Sequence, residues 1–171
     1  MAVRDIVRYG DPRLVAPNAE VVDFADPALQ GLVRDLLDTG WAAPGYGLAA
    51  PQIGVNLRVS VVDLSVGKDP GQVIVLVNPR VVEASGRVRD EEGCLSFPEI
   101  VEIVERPAEV TLEAHDAAGV RRTLHATDLL ARAFCHEVDH LDARLFIDRM
   151  SSLKKGLVLR RVQKRQKRGD W

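Results

Sequence analysis

The chain has 171 residues, a length that suits one domain, which we expect to span residues 1–171. Its composition, 46% hydrophobic and 28% charged with a net charge of −2, is typical of a globular protein. No apolar run approaches the roughly 20 residues of a membrane helix, and the first residues lack the features of a signal peptide. We therefore expect a cytoplasmic protein with no membrane partner. Cys94 and Cys135 are too few for a disulfide framework and are interpreted as free thiols or metal ligands.

The first predicted element is a helix that begins at Asp26 and Pro27, which have the character of an N-cap and a first helical residue. Apolar residues recur at helical spacing from position 29 to 37, and Gly40 can end the helix. Residues 41–52 are rich in glycine, alanine and proline, so they are predicted to form a loop.

Several β-type runs, bounded by glycine, proline or aspartate, come next: residues 58–63, 73–77, 81–84, 101–104, 110–115 and 120–124. Thr127 can cap a second helix over residues 128–141, and Ser151 or Ser152 can cap a third that ends near Arg168. One helix, many strands and then two helices favour an α+β fold with an antiparallel sheet over alternating βαβ units.

The second predicted helix contains the pattern H-E-x-x-H at residues 136–140. Residues four apart lie on one helix face, so His136 and His140 can bind a single metal ion with Glu137 beside it as a general base. A catalytic zinc-type site uses three protein ligands and a water. The extended metalloprotease pattern is not continued, because Ala143 and Phe146 stand where it has a glycine and a third histidine.

The third ligand is not determined by this spacing. A carboxylate such as Asp142 or Asp148 remains open, but Cys94 is the stronger candidate because a thiolate binds borderline-soft divalent ions well. Taken alone, a cysteine is more often a small buried hydrophobe, and a chance H-E-x-x-H is often an ordinary helix face. His115 and His125 lie in predicted strands outside any motif and are interpreted as ordinary polar positions.

A third segment, residues 45–52, has two glycines that let the backbone approach a ligand closely. Gln52 offers an amide donor that could face an oxyanion. A surface loop is the alternative interpretation. A phosphate-binding loop is excluded, because the segment is apolar and lacks the G-x-x-x-x-G-K pattern.

The motifs GxGLAAPQ at residues 45–52, EGCLS at 92–96 and HExDHL at 136–141 together resemble the signature of the peptide deformylase family. The resemblance extends over nearly the whole chain, including residues 6–12, 77–79 and 145–146. It implies an α+β fold in which antiparallel sheets pack around a central metal-binding helix, followed by a C-terminal helix. It also implies a hydrolase of protein biosynthesis, which removes the formyl group from the N-terminal formylmethionine of nascent polypeptides and releases formate.

By the same resemblance, Cys94, His136 and His140 would bind one divalent metal ion with water as the fourth ligand. Fe(II) is the expected ion, and zinc, nickel or cobalt can occupy such a site. Glu137 would act as general base, and the Leu95 backbone N–H and the Gln52 amide would stabilise the oxyanion. The residues expected to contact the substrate are Gly45, Tyr46 and Gly47.

Three positions depart from what the family usually has: Cys135 for glutamine, Tyr46 for a small aliphatic residue, and Arg132 for an apolar residue of the substrate pocket. Cys135 precedes His136 on the helix and points about 100° away from it, so it is not expected to be a fourth ligand. Tyr46 and Arg132 are expected to narrow or polarise the methionine pocket.

Residues 151–171 form a basic C-terminal segment that contains Asp170 as its one acidic residue. Its basic residues are Lys154, Lys155, Arg160, Arg161, Lys164, Arg165, Lys167 and Arg168. This charge indicates a polyanionic partner, and the resemblance suggests ribosomal RNA near the exit of nascent chains. A solvated helix end, with cations favourably placed at the helix C-terminus, is the alternative.

Two other functions stay open at this point. A general zinc peptidase is disfavoured by the cysteine ligand and by the missing third ligand at protease spacing. A non-catalytic metal-stabilised module that binds RNA or the ribosome is disfavoured because structural zinc sites usually have four protein ligands, and because Glu137 would have no purpose there.

Overall fold

Residues 3–171 are described by a computed structural model, and within this range there are three α-helices and seven β-strands. The helices are α1 (Pro27–Ala42), α2 (Asp128–Leu141) and α3 (Ser152–Arg168). The strands are β1 (Gly47–Ala49), β2 (Val59–Val62), β3 (Ile74–Ser85), β4 (Val88–Gly93), β5 (Val101–Arg106), β6 (Glu109–His115) and β7 (Arg121–Thr127). The predicted α+β class with a C-terminal helix is confirmed.

Helix α1 begins as predicted, because the Asp26 side chain accepts a hydrogen bond from the Ala28 N–H at 2.8 Å. Leu29, Val33 and Leu36 repeat at helical spacing and are buried. The predicted end at Gly40 is wrong, since the helix continues to Ala42. Gly40 is buried inside the helix, and a Cβ there would make an ordinary van der Waals contact with Leu48 Cβ at 3.7 Å, so the packing does not require a glycine.

The main sheet has five strands in the order β1-β2-β3-β6-β7, and every neighbouring pair is antiparallel. Two predicted strands, 73–77 and 81–84, are one strand, β3. It continues past Asn78-Pro79, where its register with β6 is irregular. Asn78 has a left-handed backbone (φ 50°). Its side-chain amide accepts from the Val21 N–H and donates to the Val21 C=O, and these two bonds stabilise the irregular part of the strand.

Strands β4 and β5 form a separate two-stranded sheet. The sequence did not predict β4, because most of its side chains are charged and only Glu92 among them is buried, so it has no apolar alternation. The loop predicted over 41–52 is also partly wrong. It contains the end of α1, the short strand β1 and the start of a 3-10 turn, Ala50–Ile53, since Leu48 and Ala49 are buried and pair with β2.

Helix α2 lies at the centre of the fold. Phe134 and Val138 on one face pack against buried residues of the main sheet such as Leu76 and Leu112. The side chains of His136 and His140 point instead toward Glu92 on β4 and toward Cys94, which follows β4. The packing of α2 therefore fixes the direction of the two histidines.

Helix α3 is attached by a narrow apolar strip. Val158 and Val162 are its buried residues, and they join a cluster that includes Phe97 and Phe146. The predicted cap is confirmed, since Ser151 Oγ accepts from the Lys154 N–H. Among residues 3–171, no helix has the length and apolar character needed to cross a bilayer.

The packing of α1 yields a test of the core. Leu36 is fully buried, so Leu36→Ala should lower the free energy of unfolding by about 2–5 kcal/mol through lost burial and the cavity left behind. Leu153→Ala is the matched control, because Leu153 is 78% exposed and should change it by less than about 0.5 kcal/mol. Urea unfolding of both variants measures this, and equal effects would contradict the placement of α1.

Candidate metal centre and active site

Three predicted metal ligands converge, although two come from α2 and one from the chain after β4. The Nε2 atoms of His136 and His140 are 3.2 Å apart, and Cys94 Sγ is 3.3 Å from His140 Nε2. All three ligand atoms lie within 4.8 Å of one another. Ligands of a tetrahedral ion with bonds of about 2.0–2.3 Å lie roughly 3.3–3.6 Å apart. The spacing and the donor types therefore fit one divalent ion.

The orientation of the His136 ring is set by Glu92 on β4. Its carboxylate lies 2.7 Å from His136 Nδ1. Burial would raise the pKa of this carboxyl, but hydrogen bonds from His136 and Arg106 outweigh it and hold the pKa well below its usual range. An ionised carboxylate only accepts, so Nδ1 carries the proton and the lone pair of Nε2 faces the other two ligands.

Glu92 is itself held by a group of charged residues, of which all but Arg149 are buried. Arg106 donates to both of its oxygens, at 2.6 and 3.0 Å, and Arg132 donates to Oε2 at 2.9 Å. Arg106 also donates to Asp139 on α2 at 2.5 Å, and Arg149 binds the same aspartate. We name these five residues, Glu92, Arg106, Arg132, Asp139 and Arg149, the charge cluster.

The charge cluster was not predicted from the sequence. Glu92 and Asp139 lie inside the second and third motifs, so the motifs marked both positions. No function was predicted for either residue. Arg106 and Arg149 lie outside every motif, and pairing between separate segments leaves no periodicity that a sequence would reveal.

Glu137 lies beside the ligands in a buried, closely packed position. Its side chain is 2% exposed, and burial raises the pKa of its carboxyl to about 7. Its Oε2 has no hydrogen-bond partner within residues 3–171. A Cβ at position 47 would be 2.4 Å from its Oε1, so only glycine allows β1 to pass this close. Gly45 is similarly confined, because a Cβ there would be 2.7 Å from Leu95 Cδ1.

The Gln52 side chain is fixed so that its amide nitrogen faces the ligands. Its Oε1 accepts from the Ala49 N–H at 2.9 Å, while its Nε2 lies 3.5 Å from Cys94 Sγ and 3.3 Å from Ser96 Oγ. The orientation of the amide follows from the first of these bonds, because only the oxygen can accept. Leu95 lies between Cys94 and Ser96, so its backbone borders the same space.

A cavity of about 430 Å³ opens beside the ligands. Tyr46, 48% exposed, stands at its rim, and Leu129, Ala133 and Ile100 belong to its wall. Arg132 also lines it, but the guanidinium donates to Glu92 and to the backbone oxygens of Val88 and Val104. A larger cavity of about 730 Å³ includes none of the three ligands in its wall.

The other candidate ligands lie elsewhere. Asp142 pairs with Arg58, and Asp148 pairs with Lys155, so neither belongs to the group of converging ligand atoms. Cys135 is buried in the core between α2 and the main sheet, and burial raises the pKa of its thiol. Within residues 3–171, the converging group comprises Cys94, His136 and His140.

Comparisons with known proteins agree with this geometry. The profile of the polypeptide deformylase family matches residues 3–156. A peptide deformylase of Acidobacterium capsulatum is 47% identical over 171 residues, covering 100% of both chains. A solved peptide deformylase from Legionella pneumophila superimposes with a TM-score of 0.90 at 41% identity, covering 97% of this chain and 96% of that one. The structure of the Thermus thermophilus peptide deformylase superimposes with a TM-score of 0.90 at 36% identity, covering 98% of this chain and 97% of that one.

The family resemblance drawn from three short motifs is therefore confirmed over nearly the whole chain. The chain belongs to the polypeptide deformylase family.

Proposed function

We propose that this chain is a metal-dependent amidase that hydrolyses the formyl group from the N-terminal formylmethionine of nascent polypeptides and releases formate. The observation that supports this most directly is the convergence of Cys94, His136 and His140 beside the buried carboxylate of Glu137. We further propose that residues 1–171 act as one catalytic domain in the cytoplasm, where nascent chains are made.

The ligand set favours a borderline-soft divalent ion, since one thiolate and two imidazoles suit iron, zinc, nickel and cobalt. Among these we propose Fe(II), the ion that the family resemblance implies. When bound, such an ion supplies Lewis acidity, which makes water a better nucleophile near neutral pH and polarises the formyl oxygen. The charge cluster holds His136 in the orientation that this binding needs.

Glu137 is proposed as the group that moves the proton. Its Oε2 has no protein partner within residues 3–171, so it is available to accept a proton from the attacking water. The same carboxyl can then give the proton to the departing amine. The close approach of Gly47 keeps the carboxylate from turning away, because β1 occupies the space beside Oε1.

The oxyanion that forms from the formyl carbonyl is proposed to be stabilised by the Gln52 amide and the Leu95 backbone N–H. The bond from Ala49 N–H to Gln52 Oε1 fixes the amide before the substrate arrives. Donors that are oriented in advance cost no reorganisation during the reaction, and one is typically worth about 2.7–4 kcal/mol.

The peptide is proposed to bind along β1, which is the edge strand of the main sheet beside the ligands. Gly45, Tyr46 and Gly47 would contact the substrate there through backbone pairing, while the cavity of about 430 Å³ takes the first side chain. We propose that the space at the metal is narrow, so that a formyl hydrogen fits where a carbon that bears a side chain would clash.

Replacing the proposed base separates catalysis from a structural metal site. Glu137→Gln keeps the shape but removes the proton acceptor, so turnover should fall by about 10²–10⁴-fold while one equivalent of metal is retained. Formate release and metal analysis on the same preparation measure both. Unchanged turnover would contradict the role of Glu137 as the base, and no formate release from the metal-loaded parent would favour the non-catalytic metal-stabilised module.

The crowded site predicts selectivity for the formyl group. Formyl-Met tripeptide should be hydrolysed, whereas the same tripeptide with a free amine should remain intact. A main-chain carbonyl carbon is bonded to a Cα that bears a side chain, and this group would clash where the formyl carbon has only a hydrogen. Mass spectrometry of both peptides after incubation with the metal-loaded protein checks this. Cleavage of the unblocked peptide would favour the alternative, a general zinc peptidase.

We also propose that the ribosome is a partner, through helix α3. Half of its basic residues are already paired with acidic residues of the chain: Lys154 and Arg161 with Glu102, Lys155 with Asp148, and Arg165 with Glu99. The basic residues of α3 that form no ion pair within residues 3–171 are Arg160, Lys164, Lys167 and Arg168. These side chains are available to RNA phosphates.

The variant Lys164→Ala/Lys167→Ala/Arg168→Ala should weaken ribosome binding and reduce the slope of log affinity against log salt by roughly 2, because about three phosphate contacts are lost. A truncation after Gly156 is a poorer test, since it removes the buried Val158 and Val162. Cosedimentation with ribosomes at several salt concentrations measures the slope, with Arg121→Ala on β7 as the control. Equal affinity of variant and parent at low salt would contradict the proposal.

A further inference from the structure

The metal ligands belong to two parts of the fold. Within residues 3–171, strands β4 and β5 form a hairpin that does not pair with the main sheet. This β4–β5 hairpin carries Glu92, and β4 leads directly into Cys94. His136 and His140 belong to α2, which is packed on the main sheet. Any shift of the hairpin relative to α2 therefore changes the distance between Cys94 and the two histidines.

Arg132 joins these two parts with a single side chain. It lies on α2, one turn before His136, and its Nη1 donates to Glu92 Oε2 at 2.9 Å and to the Val104 carbonyl at 3.1 Å. Its Nη2 donates to the Val88 carbonyl at 3.1 Å. One planar guanidinium thus bonds both strands of the hairpin and the carboxylate that orients His136.

The chemistry of these bonds requires arginine. The side chain is almost fully buried, so its charge must be satisfied by hydrogen bonds to be tolerated there. Three acceptors in different directions match the rigid fork of a guanidinium, whereas an ammonium is a point charge that cannot span them. Arg106 makes the opposite connection, from β5 to Asp139 on α2, and Glu92 on β4 bonds His136, so the hairpin is tied to the helix at three places.

We propose that Arg132 is a positioning residue that fixes the β4–β5 hairpin on α2 and so sets the separation of Cys94 from His136 and His140. It acts through Glu92 and the two backbone carbonyls, not through contact with the reacting atoms. This inference rests on the proposed metal site, and it assigns Arg132 a role in metal binding instead of one in polarising the substrate pocket.

Cobalt loading tests the proposal without using activity. Arg132→Met keeps the stem but removes the guanidinium, and Arg132→Lys keeps the charge but removes the fork. Both should bind Co(II) about 10–100-fold more weakly than the parent, with a weaker thiolate-to-cobalt absorption band, because an outer partner of the ligands is lost. Equilibrium titration of the metal-free proteins with Co(II) measures the affinity and the band together.

Arg58→Met is the matched control. Arg58 also makes three bonds that join separate segments, to the carbonyls of Leu141 and Pro79 and to the Asp142 carboxylate, but none of them reaches the hairpin. It should lower the unfolding midpoint as Arg132→Met does, yet retain the Co(II) affinity and the absorption band of the parent.

Three outcomes would overturn the proposal. These are parent-like Co(II) affinity and band in Arg132→Met, parent-like values in Arg132→Lys, or an equal loss in Arg58→Met. If Arg132→Met does not fold, the comparison of Arg132→Lys with Arg58→Met decides. The titration of the parent protein separates failure of the Arg132 proposal from failure of the metal site. Absence of a thiolate-to-cobalt band in the parent would reject the metal site itself.

Discussion

The site depends on the hydrogen bonds and ion pairs made by the buried carboxylate of Glu92. A buried charge is costly unless it is paired, and a pair that loses one partner is strongly destabilising. Glu92 is satisfied by His136, Arg106 and Arg132, and Arg106 in turn satisfies Asp139. These bonds bring one strand hairpin and one helix into a single arrangement, and the three metal ligands converge as a consequence.

The same arrangement also buries the Glu137 carboxylate beside the three ligands. The charge cluster occupies one side of the ligands, while β1 closes on Glu137 from the other side through Gly47. Glu137 is left with one oxygen that has no protein partner within residues 3–171. A carboxylate confined in this way, next to a Lewis acid and to the preset amide of Gln52, has the parts that amide hydrolysis needs.

Much of the fold could be predicted from the sequence, because α1, α2 and most strands bury one face and so show periodic apolar residues. Strand β4 could not, since its charged side chains are mostly exposed and its one buried residue is Glu92. The two histidines follow from helical spacing alone. Cys94 lies 46 positions from His140, so no local spacing predicts that they meet. Thiolate chemistry made Cys94 a candidate ligand, and the family resemblance then implied it. Arg106 and Arg149 of the charge cluster had no sequence signal, whereas Arg132 was singled out but assigned to the substrate pocket.

The central claim is that one ion, held by Cys94, His136 and His140, makes the chain a deformylase. The most direct test is to titrate anaerobically prepared, metal-free protein with Fe(II) while formate release from a formyl-Met peptide is followed. Activity should rise in proportion to added metal and reach its plateau at one ion per chain. Full activity of the metal-free protein, or a plateau that requires two ions per chain, would contradict the account.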